Sequence, residues 1–139
     1  EALQWLRSHM ERTYGLEVTL DGDLSGDTIP DAIRMVLFQA VRELLINVHQ
    51  HAEVECATVD MRRTDDAVVL QVVDDGVGFA LDSISADAGY GIRTSAERLR
   101  FLGGDLTIDT APGAGTRCIL RLPDDSLANA PTMPSTTHV

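Results

Sequence analysis

Val68-Val-Leu-Gln-Val-Val-Asp74-Asp-Gly76-Val-Gly78-Phe79 is the stretch on which the reading of this chain turns. It is an apolar run, then acid, then two glycines one residue apart. Side chains alternate across a strand, so Val68, Leu70 and Val72 share one face and Val69, Gln71 and Val73 the other. Gln71 is the only polar residue within the run and marks the wetter face. Asp74 is in phase with Val68, Leu70 and Val72, and is therefore expected on the buried face. A carboxylate there is costly unless something donates hydrogen bonds to it. Gly76 and Gly78 remove two Cβ atoms where the chain leaves the sheet, which lets backbone approach a ligand closely. Taken alone, the segment reads equally well as a strand ending in an Asp-Gly turn.

Upstream, Pro30 suits the first turn of a helix. Ile33, Val36, Leu37, Ala40, Val41, Leu44, Leu45 and Val48 then follow at alternating steps of three and one. That is the helical period, sustained, and it predicts a long amphipathic helix. Residues 1–14 predict a helix with Leu3, Trp5, Leu6 and Met10 as its apolar stripe, stopped by Gly15, and Leu16 to Leu20 a brief strand. Asp21 to Thr28 is a loop, Glu53 to Met61 a strand, and Arg62 to Asp66 a turn. Downstream, Phe79 to Ala88 reads as a loop, Ile92 to Leu102 as a helix ended by Gly103-Gly104, and Leu106 to Thr110 with Thr116 to Leu122 as a closing hairpin.

Consecutive strands joined by short turns exclude a doubly wound sheet. The order predicts an α/β two-layer sandwich, with a mixed, mostly antiparallel sheet covered on one face by three helices. At 139 residues the chain forms one domain over 1–123, with 124–139 expected as a disordered tail or linker. The chain opens on Glu1, and a fragment of something longer is expected.

The net charge is −11 and no basic stripe occurs, which argues against nucleic acid as a partner. All eleven cations are Arg, so no Lys is available to bind phosphate. Cys56 and Cys118 are too few for a disulfide framework, pointing to a reducing, cytoplasmic setting. No apolar run is long enough to cross a membrane; any anchor lies outside these residues.

Glu43, Asn47 and His51 stand four residues apart on the long helix and project as a row at the margin of its apolar arc. Such a row is a solvated face in many helices. A neutral Asn beside an acid at a core-facing edge is also how a protein helps to hold Mg²⁺, which keeps several waters and takes substrate phosphate oxygens. Glu43 is then placed to orient or deprotonate an attacking group. Gly89-Tyr90-Gly91-Ile92 precedes a predicted helix, where backbone N–H groups attract anions. Thr116 is in phase with Cys118, Leu120 and Leu122, on the buried face, where its hydroxyl can join Asp74 through water.

Glu43-x3-Asn47-x3-His51-Ala52, Asp74-x-Gly76-x-Gly78, Gly89-x-Gly91 and Gly115-Thr116 occur in this order. Together they resemble the N, G1 and G2 boxes of the GHKL ATP-binding superfamily. Within it, the short stretch between Gly78 and Gly89 and the ending AERLRFLGGDLTIDTAPGAGT…LP are similar to the catalytic ATP-binding domain of two-component sensor histidine kinases of the nitrate-sensor type. The resemblance implies a Bergerat-type fold, with ATP and Mg²⁺ as cofactors. It assigns Asp74 to the exocyclic amine of adenine, Thr116 to adenine through water, Asn47 to Mg²⁺ and Glu43 to catalysis. It puts Gly76 and Gly78 at the base, Gly89, Tyr90, Gly91 and Ile92 with His51 in the nucleotide site, and residues 79–88 in a lid.

The implied partners are a phosphoacceptor histidine on a dimerisation helix and a response regulator, with a homodimeric full-length protein and a monomeric isolated domain. Neither His9 nor His138 matches the phosphoacceptor's context, so autophosphorylation by these residues alone is not expected. Two positions depart from the family: Gln50 stands where a basic residue is usual, and Arg93-Thr-Ser-Ala-Glu-Arg98 where a Met-Arg-Glu-Arg run is frequent. The alternative is a non-kinase regulatory module of the same superfamily, an anti-sigma-like nucleotide binder. An ATP-hydrolysing clamp needs a longer lid and a second domain.

Overall fold

The computed structural model describes residues 2–22, 29–78 and 86–125, with positions 51, 52 and 86–91 as backbone only. Helix α1 (Ala2–Tyr14) leads into strand β1 (Glu17–Gly22); α2 (Asp31–Asn47) continues into a π-helical turn (Val48–Ala52). Strands β2 (Cys56–Arg63) and β3 (Ala67–Asp74) follow, then α3 (Ala86–Phe101), β4 (Asp105–Thr110) and β5 (Thr116–Pro123). The strands form one sheet in the order β1-β2-β3-β5-β4. β1 and β2 run parallel because α2 carries the chain back between them. The other three pairs are antiparallel. The mixed, mostly antiparallel sheet under three helices is the expected sandwich.

Strand parity works as the sequence predicts. Val68, Leu70 and Val72 of β3 are 1–2% exposed, and Leu120 and Leu122 face the same way from β5. Ile33, Leu37, Ala40, Val41, Leu44 and Leu45 of α2 close over them, joined by Leu6 and Met10 of α1 and by Ala96 and Leu99 of α3. The opposite face carries Asp60, Gln71, Ile119 and Thr107 in successive strands. Among the described residues, helices therefore cover one face of the sheet, the side that holds Asp74.

Three local readings differ. Trp5 is 53% exposed rather than part of the α1 stripe; its ring stacks on His9 with centroids 4.9 Å apart. α3 begins at Ala86, not near Ile92, so Gly89 and Gly91 lie inside the helix. Glycine in a helix interior costs about 1 kcal/mol, less than packing the helix's later turns returns. Finally, α2 does not end in α-helical geometry. The Val48 N–H is shared between the carbonyls of Leu44 and Leu45, and the π turn that follows stops at Glu53, whose φ is +59°. Of the expected tail, 124–139, Asp124 is held by a hydrogen bond from its N–H to the Asp66 carbonyl; the rest from 126 onward and most of the expected lid, 79–85, lie outside the described residues.

Candidate functional site

β3 ends at Asp74, which is 6% exposed on the helix-covered face. Its Oδ1 accepts the Gly76 N–H at 2.8 Å, closing a short side-chain-to-backbone turn. Oδ2 has no hydrogen-bond partner among the described residues. Burial raises the carboxyl above its ordinary value; the Gly76 N–H works against the rise and neighbouring Asp75 adds to it. A buried carboxylate with one oxygen unpaired among the described residues can accept a further donor. The field of Asp74 also reaches Cys118, whose thiol is pushed up to about 12 by burial first and by that charge second.

The turn between β4 and β5 packs directly on the segment leaving β3. Gly78 has φ +63°, and a Cβ there would overlap the Ala111 carbonyl oxygen. Gly115 has φ +74°, and a Cβ there would overlap the carbonyl oxygen of Asp74. The Gly113 N–H donates to the Val77 carbonyl at 2.6 Å, tying the two segments together. The space vacated at Gly78 is thus filled by the hairpin, and backbone meets backbone.

Thr116 pairs with Asp74 across β3–β5 and with Thr110 across β4–β5. Its Oγ1 is 2.9 Å from the Thr110 Oγ1, which in turn donates to the Gly115 carbonyl at 2.9 Å. Thr110 was not among the candidates read from sequence. The signal was available: it shares parity with Leu106 and Ile108 and faces inward with them.

On the helical side, Glu43 and Asn47 are half-buried at the margin of α2. The Asn47 Nδ2 is buried with no hydrogen-bond partner. A half-turn of the amide exchanges nitrogen for oxygen with little change of shape, so this position can present either a donor or an acceptor. Among the described residues, no three of His, Cys, Asp and Glu cluster as a metal site. Gln50 and Arg93 are exposed, and Ile92 is half-buried against the core. The side chains of His51 and Tyr90 lie outside the described residues, and Gly89 and Gly91 are described by their backbone alone.

Residues 32–126, from α2 to the end of β5, match the family described as "Histidine kinase-, DNA gyrase B-, and HSP90-like ATPase". The chain belongs to this family. The matched residues of this ATPase-like domain contain both the α2 margin and the Asp74 corner. The chain is similar to the oxygen sensor histidine kinase NreB of Staphylococcus carnosus (strain TM300), with 27% identity over 113 residues. That alignment spans 81% of this chain and 33% of the relative, so the chain is about a third of that protein's length. Its fold is similar to that of the Erythrobacter litoralis EL346 blue-light activated histidine kinase, with a TM-score of 0.73 and 19% identity. The superposition covers 92% of this chain and 41% of that one, and speaks for the fold alone. Among the described residues, no helix is long and apolar enough to cross a membrane.

Proposed function

We propose that this chain is the catalytic ATP-binding domain of a sensor histidine kinase. It holds ATP with Mg²⁺ while the γ-phosphoryl passes to a histidine on a dimerisation helix, and from there to an aspartate of a response regulator. One observation carries the reading: Asp74 is buried, with Oδ1 occupied by the Gly76 N–H and Oδ2 without a hydrogen-bond partner among the described residues. An acceptor so placed fits the exocyclic amine of adenine, with Thr116 beside it.

Each residue has a limited task in this reading. Asp74 and Thr116 orient the base, and Gly76 and Gly78 bring backbone alongside it. The amide of Asn47 offers an oxygen to Mg²⁺, which takes its other ligands from phosphates and water, as this hard ion does. The lone amide and the lack of a carboxylate cluster among the described residues fit an ion that arrives with the nucleotide. Bound there, Mg²⁺ neutralises phosphate charge, which a chain of net charge −11 does not do itself. Glu43, four residues before Asn47 on α2, orients or deprotonates the attacking imidazole. Gly89, Tyr90, Gly91, Ile92 and His51 complete the nucleotide site. Catalysis is then mostly positioning and charge neutralisation.

Calorimetric titration with ATP, with and without Mg²⁺, tests the reading. Asp74→Ala removes a hydrogen bond to a charged group and is expected to weaken ATP binding about ten- to a hundredfold. Unchanged affinity in that variant would falsify the assignment of the adenine site.

A further inference from the structure

We propose that Tyr14 is a positioning residue for the metal: by packing on His49 it holds the π-helical turn that aims the amide of Asn47, a role that rests on the reading of Asn47 as the Mg²⁺ ligand.

Asn47 is the last residue of α2, and the turn Val48–Ala52 begins directly after it. Its Nδ2 is buried without a hydrogen-bond partner, so no bond from that nitrogen fixes the direction of the amide. The backbone beneath it decides where the amide points. A π turn forms i→i+5 hydrogen bonds, so it carries one residue more than an α turn. Here it ends at Glu53, whose φ of +59° is costly for a residue with a Cβ. Such geometry persists only where surrounding contacts hold it.

Those contacts are few. Of the turn's described side chains, Val48 is buried in the core, Gln50 is exposed, and His49 lies against Tyr14. The two rings have centroids 4.7 Å apart, at 46° to one another. Tyr14 is itself half-buried against the core at the end of α1, and it meets the His9 ring edge-on at 6.2 Å. His9 in turn stacks on Trp5. The tyrosine thus belongs to the packing of α1 and gives the turn a wall to rest on. Without that wall the turn is free to relax toward α geometry, which swings the end of α2 and the Asn47 amide with it. Asp74 and Thr116 stand on the sheet, away from this change. Its effect therefore falls on the metal and not on the base.

The test is calorimetric titration of ATP with Mg²⁺, and of ADP without metal, into the wild-type chain, Tyr14→Ala, Tyr14→Phe, His49→Ala and the Tyr14→Ala/His49→Ala pair. The contact has the strength of an aromatic pair, so Tyr14→Ala and His49→Ala are each expected to weaken ATP binding with Mg²⁺ about threefold to tenfold. Metal-free ADP binding stays at the wild-type strength. Tyr14→Phe keeps the ring and restores metal-dependent binding, and the double variant is no weaker than Tyr14→Ala alone. A parallel fall for both nucleotides overturns the inference, because it marks general loosening; so does no fall for either. His49 is exposed, so His49→Ala decides by itself should Tyr14→Ala not fold. Unchanged metal dependence in Asn47→Ala overturns instead the reading of Asn47 as the metal ligand.

Discussion

Asp74 and Thr116 are the terminal partners of the β3–β5 ladder, so the buried acid and the inward hydroxyl stand side by side at one corner of the sheet. The corner is braced from behind by the β4–β5 turn, whose Gly115 and Ala111 press on the backbone of residues 74–78. Charge, hydroxyl and brace depend on one another, which makes the corner testable from several directions.

Replacing the acid by its amide separates stability from binding. Burial holds the Asp74 carboxyl above its ordinary value of 3.8, so the folded chain binds that proton more readily than the unfolded chain. The group's favourable contribution is complete below the unfolded value and is lost as pH rises through the folded one. Asp74→Asn, which can still accept the Gly76 N–H, is expected to raise the melting temperature of the nucleotide-free chain at pH 7. The gain over wild type should shrink as pH falls toward 3.8. Nucleotide affinity in the same variant should fall. A gain that is constant with pH would mean that charge burial is not its source.

Gly78→Ala tests the brace. It places a side chain at φ +63° and drives its Cβ into the Ala111 carbonyl, a backbone atom that cannot rotate away. A destabilisation of about 2 kcal/mol or more is expected from urea unfolding. A loss below about 0.5 kcal/mol, the range of ordinary surface changes, would show that the hairpin is not held there.

Asn47→Ala should act on metal dependence alone. The Nδ2 of Asn47 is already buried without a partner, so removing it takes away no hydrogen bond from the nucleotide-free chain. The melting temperature should change little or rise. ATP binding should lose its dependence on Mg²⁺, with metal-free ADP binding nearly unaffected. Retained metal dependence would place the ion on other groups.

The two cysteines should differ in reactivity. Cys56 is exposed, whereas Cys118 is buried with its thiol pushed up to about 12. The thiolate is the reactive form, so iodoacetamide at pH 8 should label Cys56 and spare Cys118 until denaturant is added. Peptide mass spectrometry reads both sites at once. Labelling of Cys118 at the rate of Cys56 in the native chain would contradict its burial beside Asp74.

Much of the architecture is legible in the sequence because period and parity are local properties. The steps along α2 put Ile33 to Leu45 on one stripe, and alternation along β3 puts Asp74 with Val68, Leu70 and Val72; both hold in the folded chain. The motif positions of Asn47, Asp74 and Thr116 are equally readable, since each follows from its place in a periodic element. The start of α3 is not readable in this way. Two glycines at positions 89 and 91 are a local stop signal, and only packing of the later turns against the core carries the helix through them.

What the chain alone determined, then, is which faces are apolar, in what order the elements come, and that an acid sits at the end of an inward strand. Tertiary structure decided the rest, because it rests on contacts between residues far apart in sequence. The Ala111 carbonyl fills the gap at Gly78, and Asp74 is set against Thr116 and Gly115. Close backbone approach and the pairing of side chains across a ladder depend on distances between strands, and no periodicity along one strand encodes them.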